Sequence, residues 1–174
     1  MDSAELDEQA IRWQDAAGSH SRTWQEVREV YRLEMRRNGF RVTELKLVPI
    51  AGEPAVFNHS LTQYDQLAEK AQGYHAAVWL ATKRAEVEGP GATFGPVTLL
   101  PDAVLVQGER LAWEEIEQYG LVRGYLCFVT PRLQGRATKM VAAKEIPNYA
   151  LLLQLLEAFG KPAASPQTLF EQVA

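Results

Sequence analysis

Apolar and polar residues alternate along most of this chain in runs too short for helices. Ala103 to Gln107 and Tyr125-Leu126-Cys127-Phe128-Val129-Thr130 are rich in aliphatic, aromatic and β-branched side chains and read as strands. Further strands are expected at Ala10 to Gln14, Thr23 to Met35, Phe40 to Val48, Ala55 to Asn58, Phe94 to Leu100, Leu111 to Gln118 and Ala137 to Ala142. Turn residues separate them: Ala17-Gly18-Ser19-His20-Ser21, Asn38-Gly39, Ala51-Gly52-Glu53-Pro54, Pro101-Asp102, Gly108-Glu109, and a loop from Pro131 to Gly135. Asn38-Gly39 is the strongest of these signals, because a type I′ turn needs positive φ at both central residues.

Two segments change period. From about Thr62 onward, Leu67, Ala71, Tyr74, Val78, Ala81 and Ala85 recur at steps of four and three, which predicts one helix face, with Gly73 as a point of bending. Tyr149 to Phe159 predicts a second helix, capped by Asn148 and stopped by Gly160, with Pro162 beyond. Val87 to Gly95 reads as a linker. Lys161 to Ala174 reads as a tail with one helical turn around Thr168 to Val173.

The elements repeat. Thr23-Trp24-Gln25-Glu26-Val27 resembles Ala112-Trp113-Glu114-Glu115-Ile116, 89 residues later. Gly39-Phe40 matches Gly124-Tyr125, and Leu61-Thr62-Gln63-Tyr64 matches Ile146-Pro147-Asn148-Tyr149, both 85 residues later. A period this long does not fit a solenoid and predicts two copies of one small domain. The expected fold is α+β: two repeats of antiparallel strands closed by a helix, at 10–88 and 91–160, then the tail 161–174. The second repeat has a strand, Phe94 to Leu100, before the one that matches Ala10 to Gln14. The first repeat has only an acidic stub there, so it lacks its opening strand and leaves a sheet edge at Ala10 to Gln14. That edge is open to the stub, to the second repeat or to another chain, and a homodimer is one expected outcome.

Composition narrows the class. The 174 residues are 47% hydrophobic and 23% charged, which excludes a disordered or fibrous chain. The net charge of -4 and a pI near 5.5 give no general attraction to nucleic acid or acidic membranes. The one cysteine, Cys127, has no partner for an internal disulfide. The longest apolar run, Tyr149 to Leu156, is far short of the roughly 18 residues of a membrane span. The opening Met1-Asp2-Ser3-Ala4-Glu5-Leu6-Asp7-Glu8 is acidic, unlike a signal peptide, so a cytoplasmic setting is expected.

Catalytic signals are weak. His20, His59 and His75 have no metal-ligand spacing, and Cys127 sits in an apolar strand that disfavours a thiolate. Gly89-Pro90-Gly91-Ala92-Thr93-Phe94-Gly95 precedes a strand rather than a helix, and Gly135-Arg136-Ala137-Thr138-Lys139 lacks the ending of a phosphate loop. Glu115 and Glu117 share a strand face by alternation, and a solvated face is the reading for them. Trp24 and Trp113 are expected as inward core anchors. No catalytic, cofactor or metal residue is expected, and the chain is expected not to be an enzyme.

Local charge points elsewhere. Leu121 to Lys144 holds five basic residues and no acidic one, and Arg36 to Lys46 holds four against Glu44. Both are central hairpins of their repeats. The tip Arg36-Arg37-Asn38-Gly39-Phe40-Arg41 sets cations around one aromatic. Arg36, Arg37, Phe40, Arg41, Arg132, Arg136 and Lys139 are therefore the candidate binding residues, for an acidic protein partner or anionic lipid headgroups. Few aromatics interleave with these charges, which disfavours single-stranded nucleic acid.

The strand Leu111-Ala112-Trp113-Glu114-Glu115-Ile116, the segment Phe94-Gly95-Pro96 with Leu99, and Ile146-Pro147-Asn148-Tyr149 leading into Leu151 to Leu156 resemble the bacterial pleckstrin-homology-like domains. The likeness is to a group with two such units in tandem and covers about Ala10 to Gly160. It implies bent antiparallel sheets or partial barrels, each plugged by a helix, and a scaffolding or binding role. Headgroup binding in that family uses basic residues between the first two strands, and Leu100-Pro101-Asp102 supplies none. The alternative is a small-molecule-binding or hydrolytic protein using a cavity between the repeats.

Overall fold

The computed structural model describes residues 3–37, 40–58, 61, 63–132 and 135–160, and at 34–37, 40–42, 131–132 and 135–138 the backbone alone. The chain is α+β. Among the described residues there are thirteen strands in four antiparallel sheets and two α-helices, and no sheet closes into a barrel. It divides into two compact units. The first comprises the residues up to Leu80 with Pro147–Leu151; the second comprises Ala81–Ile146 and the residues from Leu152 onward.

The first unit opens with β1 (Ser3–Leu6), β2 (Ala10–Asp15) and β3 (Gly18–Thr23), a meander in the order β1-β2-β3. The acidic stub is thus a strand: Ser3 pairs with Gln14 and Leu6 with Ile11. It covers the β2 edge that was expected to be open, so that edge gives no argument for a second copy. The turn expected across Ala17 to Ser21 shrinks to Ala16-Ala17. Asp15 Oδ1 accepts the Ala17 N–H at 2.9 Å and closes the turn locally, which frees Gly18 to Thr23 to extend.

Next come β4 (Val27–Arg37), β5 (Phe40–Pro49) and β6 (Ala55–Asn58), again a meander. The expected long strand from Thr23 breaks at Trp24–Glu26. There the Glu26 carboxylate takes both the backbone N–H and the hydroxyl of Thr23, at 2.8 and 2.9 Å. A side chain reaching back three residues closes a turn, as in a capping box, and a strand cannot run through it. Residues 38 and 39, the expected hairpin turn, lie outside the described residues; the flanking pair is Arg37 with Phe40.

Helix α1 (Tyr64–Glu88) is unbroken at Gly73. Its buried positions in the first unit are Tyr64, Leu67, Ala68, Ala71, His75 and Ala76, while Tyr74 and Val78 pack partly against the core. Ala81 and Ala85, expected on the same face, are exposed. The first core gathers Ile11, Trp24, Val27, Val30, Leu45, Leu47 and Phe57 around this helix face.

The second unit begins with a four-stranded meander, β7 (Ala92–Phe94), β8 (Val97–Leu99), β9 (Ala103–Val106) and β10 (Glu109–Ala112). One expected strand, Phe94 to Leu100, is two, because Gly95 at φ 58° and Pro96 turn the chain between them. Trp113–Glu115 is a short 3₁₀ turn rather than strand, and Glu115 accepts the Ala112 N–H at 3.0 Å. Glu115 is therefore a turn-closing residue, which replaces the alternating strand face expected for Glu115 and Glu117. β11 (Gln118–Val122), β12 (Tyr125–Arg132) and β13 (Gly135–Ala142) follow in a three-stranded sheet. The loop expected from Pro131 to Gly135 narrows to 133–134, which lie outside the described residues. Phe94, Leu99, Val104, Ile116, Tyr119, Leu126 and Phe128 are fully buried, with Leu152, Leu155 and Leu156 of helix α2 (Tyr149–Phe159).

Asn148 does not cap α2 with its side chain. It sits at φ 54° and turns to β4, where it accepts the Val30 N–H at 2.7 Å and donates to the Arg28 carbonyl at 3.1 Å. Residues 161–174, with the helical turn expected there, lie outside the described residues.

Candidate functional site

The candidate binding residues fall at two hairpin ends. In the first unit, β6 accompanies β5 as far as the pair Glu44 with Asn58. The β4–β5 ladder continues beyond it through Glu34 with Thr43, Met35 with Val42, Arg36 with Arg41 and Arg37 with Phe40. Four rungs at about 3.4 Å each extend the two-stranded ribbon by roughly 14 Å past the last β6 pair. Arg36, Arg37, Phe40 and Arg41 occupy this extension, with side chains outside the described residues.

In the second unit, β11 accompanies β12 up to the pair Gln118 with Val129. The β12–β13 ladder runs on through Thr130 with Ala137, Pro131 with Arg136 and Arg132 with Gly135. Arg132 and Arg136 thus lie on this hairpin end, and their side chains are also outside the described residues. Lys139 lies closer to the core, paired with Phe128, and its ammonium forms an ion pair with Glu109.

A cluster that the sequence did not suggest lies on the β1-β2-β3 sheet. Trp13 and His20 are cross-strand partners, and their rings stack at 5.1 Å and 16°. Trp13 also meets Phe57 edge-on at 5.7 Å, which ties the stack to the first core. His20 Nε2 lies 3.0 Å from Asp15 Oδ1. That hydrogen bond, then the Ala17 N–H, holds the Asp15 carboxyl below its ordinary range. One open cleft of about 380 Å³ is lined on one side by Trp13, Asp15, His20 and Arg22 and on the other by Glu53, Pro54, Ala55 and Val56. A second, shallow groove of about 470 Å³ is lined by Ser3, Glu5, Arg12, Gln14, Ser19 and Ser21 with Trp13 and His20. The turn signal at Ala17-Gly18-Ser19-His20-Ser21 places His20 in the turn itself; the turn falls at Ala16-Ala17 instead, which makes His20 a strand residue opposite Trp13.

His75 is buried in α1, where burial pushes its pKa down to about 4 and keeps the ring neutral at pH 7; its Nε2 donates to the Val27 carbonyl at 3.1 Å, which offsets part of that shift. Burial raises the Cys127 thiol. Asp7 is held at about 2 by its bond to Arg12, then by the N–H groups of Gln9 and Ala10. His59 lies outside the described residues. Among the described residues, no three His, Cys, Asp or Glu side chains converge as metal ligands, and no helix is long and apolar enough to cross a membrane.

The chain belongs to a family of unknown function, DUF6585, whose model matches residues 4–164. No curated protein matches it.

Proposed function

We propose that the chain is a non-enzymatic interaction module of two PH-like repeats, 10–88 and 91–160, that binds an acidic protein surface or anionic lipid headgroups through its basic hairpin ends. The observation that carries this reading is the filled interior of the units. In the first, Trp24 is fully buried, its ring faces Tyr74 of α1 at 6.2 Å, and Trp79 donates its indole N–H to the Trp24 carbonyl. The two clefts described above are open to solvent. Chemistry in such a molecule is left to strand edges and hairpin ends.

The tandem reading is supported by matched hydrogen bonds. Trp24 Nε1 donates to the carbonyl of Asp7, the residue that follows β1; Trp113 Nε1 donates to the carbonyl of Leu100, the residue that follows β8. Asp7 N–H bonds Ala10 at 3.0 Å, and Leu100 N–H bonds Ala103 at 2.8 Å. Val27 N–H bonds Trp24, and Ile116 N–H bonds Trp113, each at 3.3 Å. Glu26 and Glu115 close the two turns in the same way. The order of elements also agrees: a meander, a Trp turn, a three-stranded meander, a helix.

The test is the double variant Arg36→Glu, Arg37→Glu. It is assayed for sedimentation with vesicles of anionic and neutral lipid and for capture of proteins from native lysate, at low and high salt. Salt-sensitive binding by the parent that the variant loses supports the reading. A variant that keeps every interaction of the parent at low salt overturns it.

A further inference from the structure

β3 is the outer strand of its sheet, and its six residues pair with β2 without a shift of register. Only Ala16-Ala17 joins the two strands, so Asp15 and Gly18 form a hydrogen-bonded pair and the ladder alternates from there. The backbone groups of Gly18, His20 and Arg22 are then spent on β2, and those of Ser19, Ser21 and Thr23 face away. Thr23 agrees with this parity. Its N–H meets the Glu26 carboxylate at 2.8 Å, and its carbonyl accepts the Glu26 N–H at 3.1 Å. The outward N–H and C=O groups of Ser19 and Ser21 have no partner among the described residues.

Proteins usually defend such an edge with proline, lysine, a bulge or shortness. β4 has a bulge between Val27 and Glu29 and receives Asn148. β3 has no proline, lysine or bulge, and its one charge is Arg22. The 380 Å³ cleft lies beside it, floored by the Trp13–His20 stack. Arg22, on the cleft wall, makes one long hydrogen bond, to the Ala51 carbonyl at 3.4 Å, and no ion pair within 4 Å among the described residues; its charge acts at longer range on Glu26, whose carboxylate is already engaged by Thr23.

We propose that β3 accepts an extended segment of a partner protein as an added strand, with one acidic side chain of that segment opposite Arg22. An antiparallel strand bonded to Ser19 and Ser21 places its residues opposite His20 and Arg22 in non-hydrogen-bonded pairs, where side chains come closest. A carboxylate there gives the Arg22 guanidinium the bidentate partner it lacks. The residue opposite His20 lies over the aromatic stack and is apolar. Asp15 is held by His20, and Glu53 stands on the opposite wall, so the cleft takes one acidic residue rather than a run of them. A second copy of β3 fits poorly. Pairing through these same groups sets His20 against His20 or against Arg22, and neither arrangement puts a carboxylate opposite Arg22. This edge is separate from the hairpin ends, and its test leaves Arg36 and Arg37 unchanged.

The experiment titrates the whole chain with two synthetic peptides, acetyl-Thr-Glu-Thr-Val-Thr-Val-amide and the same sequence with Lys in place of Glu, while amide NMR signals and hydrogen exchange are followed. The glutamate peptide is expected to shift the Ser19 and Ser21 amides, slow their exchange, and bind about two- to fivefold more tightly than the lysine peptide. Arg22→Glu is expected to invert that preference. Ser21→Pro, which removes an outward N–H and no hydrogen bond of the β2–β3 ladder, is expected to abolish the shifts; should the fixed φ of proline prevent folding, the Arg22→Glu swap still decides. The proposal is overturned by shifts confined to other residues, by equal binding of both peptides, by a preference that survives Arg22→Glu, by no binding at millimolar peptide, or by self-association through the same amides in place of peptide binding.

Discussion

Asn148 and Val30 exchange two hydrogen bonds: the Asn148 side-chain oxygen accepts the Val30 N–H at 2.7 Å, and the Asn148 backbone N–H donates to the Val30 carbonyl at 2.8 Å. The side-chain amide thus stands in for a strand residue beside β4. Asn148→Ala is expected to destabilise the protein by about 1–3 kcal/mol, because it leaves the buried Val30 N–H without a partner. Asn148→Asp is expected to be at least as damaging, since a carboxylate meets the Arg28 carbonyl. Urea unfolding checks both; a midpoint unchanged by either substitution contradicts the account.

His75 sets a pH dependence. Its folded pKa, about 4, lies below the ordinary 6.5, so the unfolded chain binds the proton more readily. Its contribution is intact above pH 6.5 and is lost as pH falls from 6.5 to about 4, by on the order of 3 kcal/mol. Asp7, held near 2, adds its own loss only below its ordinary value of 3.8. Thermal melts of the parent between pH 7 and 4.5 are expected to fall, and those of His75→Leu to stay flatter over the same interval.

The two turn glutamates separate cleanly from their neighbour. Glu115→Ala removes the acceptor of the Ala112 N–H and is expected to cost about 0.5–2 kcal/mol. Glu114, exposed on the same turn, is expected to change stability by less than about 0.5 kcal/mol when replaced by Ala. Equal effects in denaturant titrations would remove the turn-closing role.

Gly91 and Gly73 are expected to respond with opposite sign. Gly91 has φ 103°, and a Cβ there would lie 2.7 Å from Leu100 Cδ2 and 3.2 Å from the Leu99 carbonyl oxygen. Gly91→Ala is expected to destabilise by about 1–3 kcal/mol. Gly73 lies within α1 with nothing within 4 Å of a Cβ, so Gly73→Ala is expected to stabilise by about 0.5–1 kcal/mol. Melting temperatures of the two variants decide the matter.

What the sequence disclosed depended on how local each signal was. Helix α2 and strand β12 are long apolar runs bounded by breakers, and their limits were readable to within two residues. The likeness of Trp24 and Trp113 was also readable. Their conformation was not, because it rests on Glu26 and Glu115 reaching back to a backbone N–H. β1 has only Ala4 and Leu6 as apolar members and acquires its place from pairing with β2. The Trp13–His20 cluster was hidden because Asp15 closes the turn at Ala16-Ala17, earlier than the Gly18-Ser19 signal suggested, and His20 thereby joins a strand. Asn148 looked like a helix cap from its neighbours in sequence, and its real partners lie 118 and 120 residues away.

That separation has a consequence for synthesis. Nearly all of the first unit leaves the ribosome before Asn148 is made, yet the β4 edge at Arg28 and Val30 waits for it. At about 5–20 residues per second, 118 residues represent roughly 6–24 s during which that edge stands open. The nascent first unit therefore passes through a stage in which its own chain has not yet supplied the closing residue. A fragment ending before Pro147 would remain in that stage permanently, with the Val30 amide exchanging freely and a strand edge available to whatever extended chain is nearby.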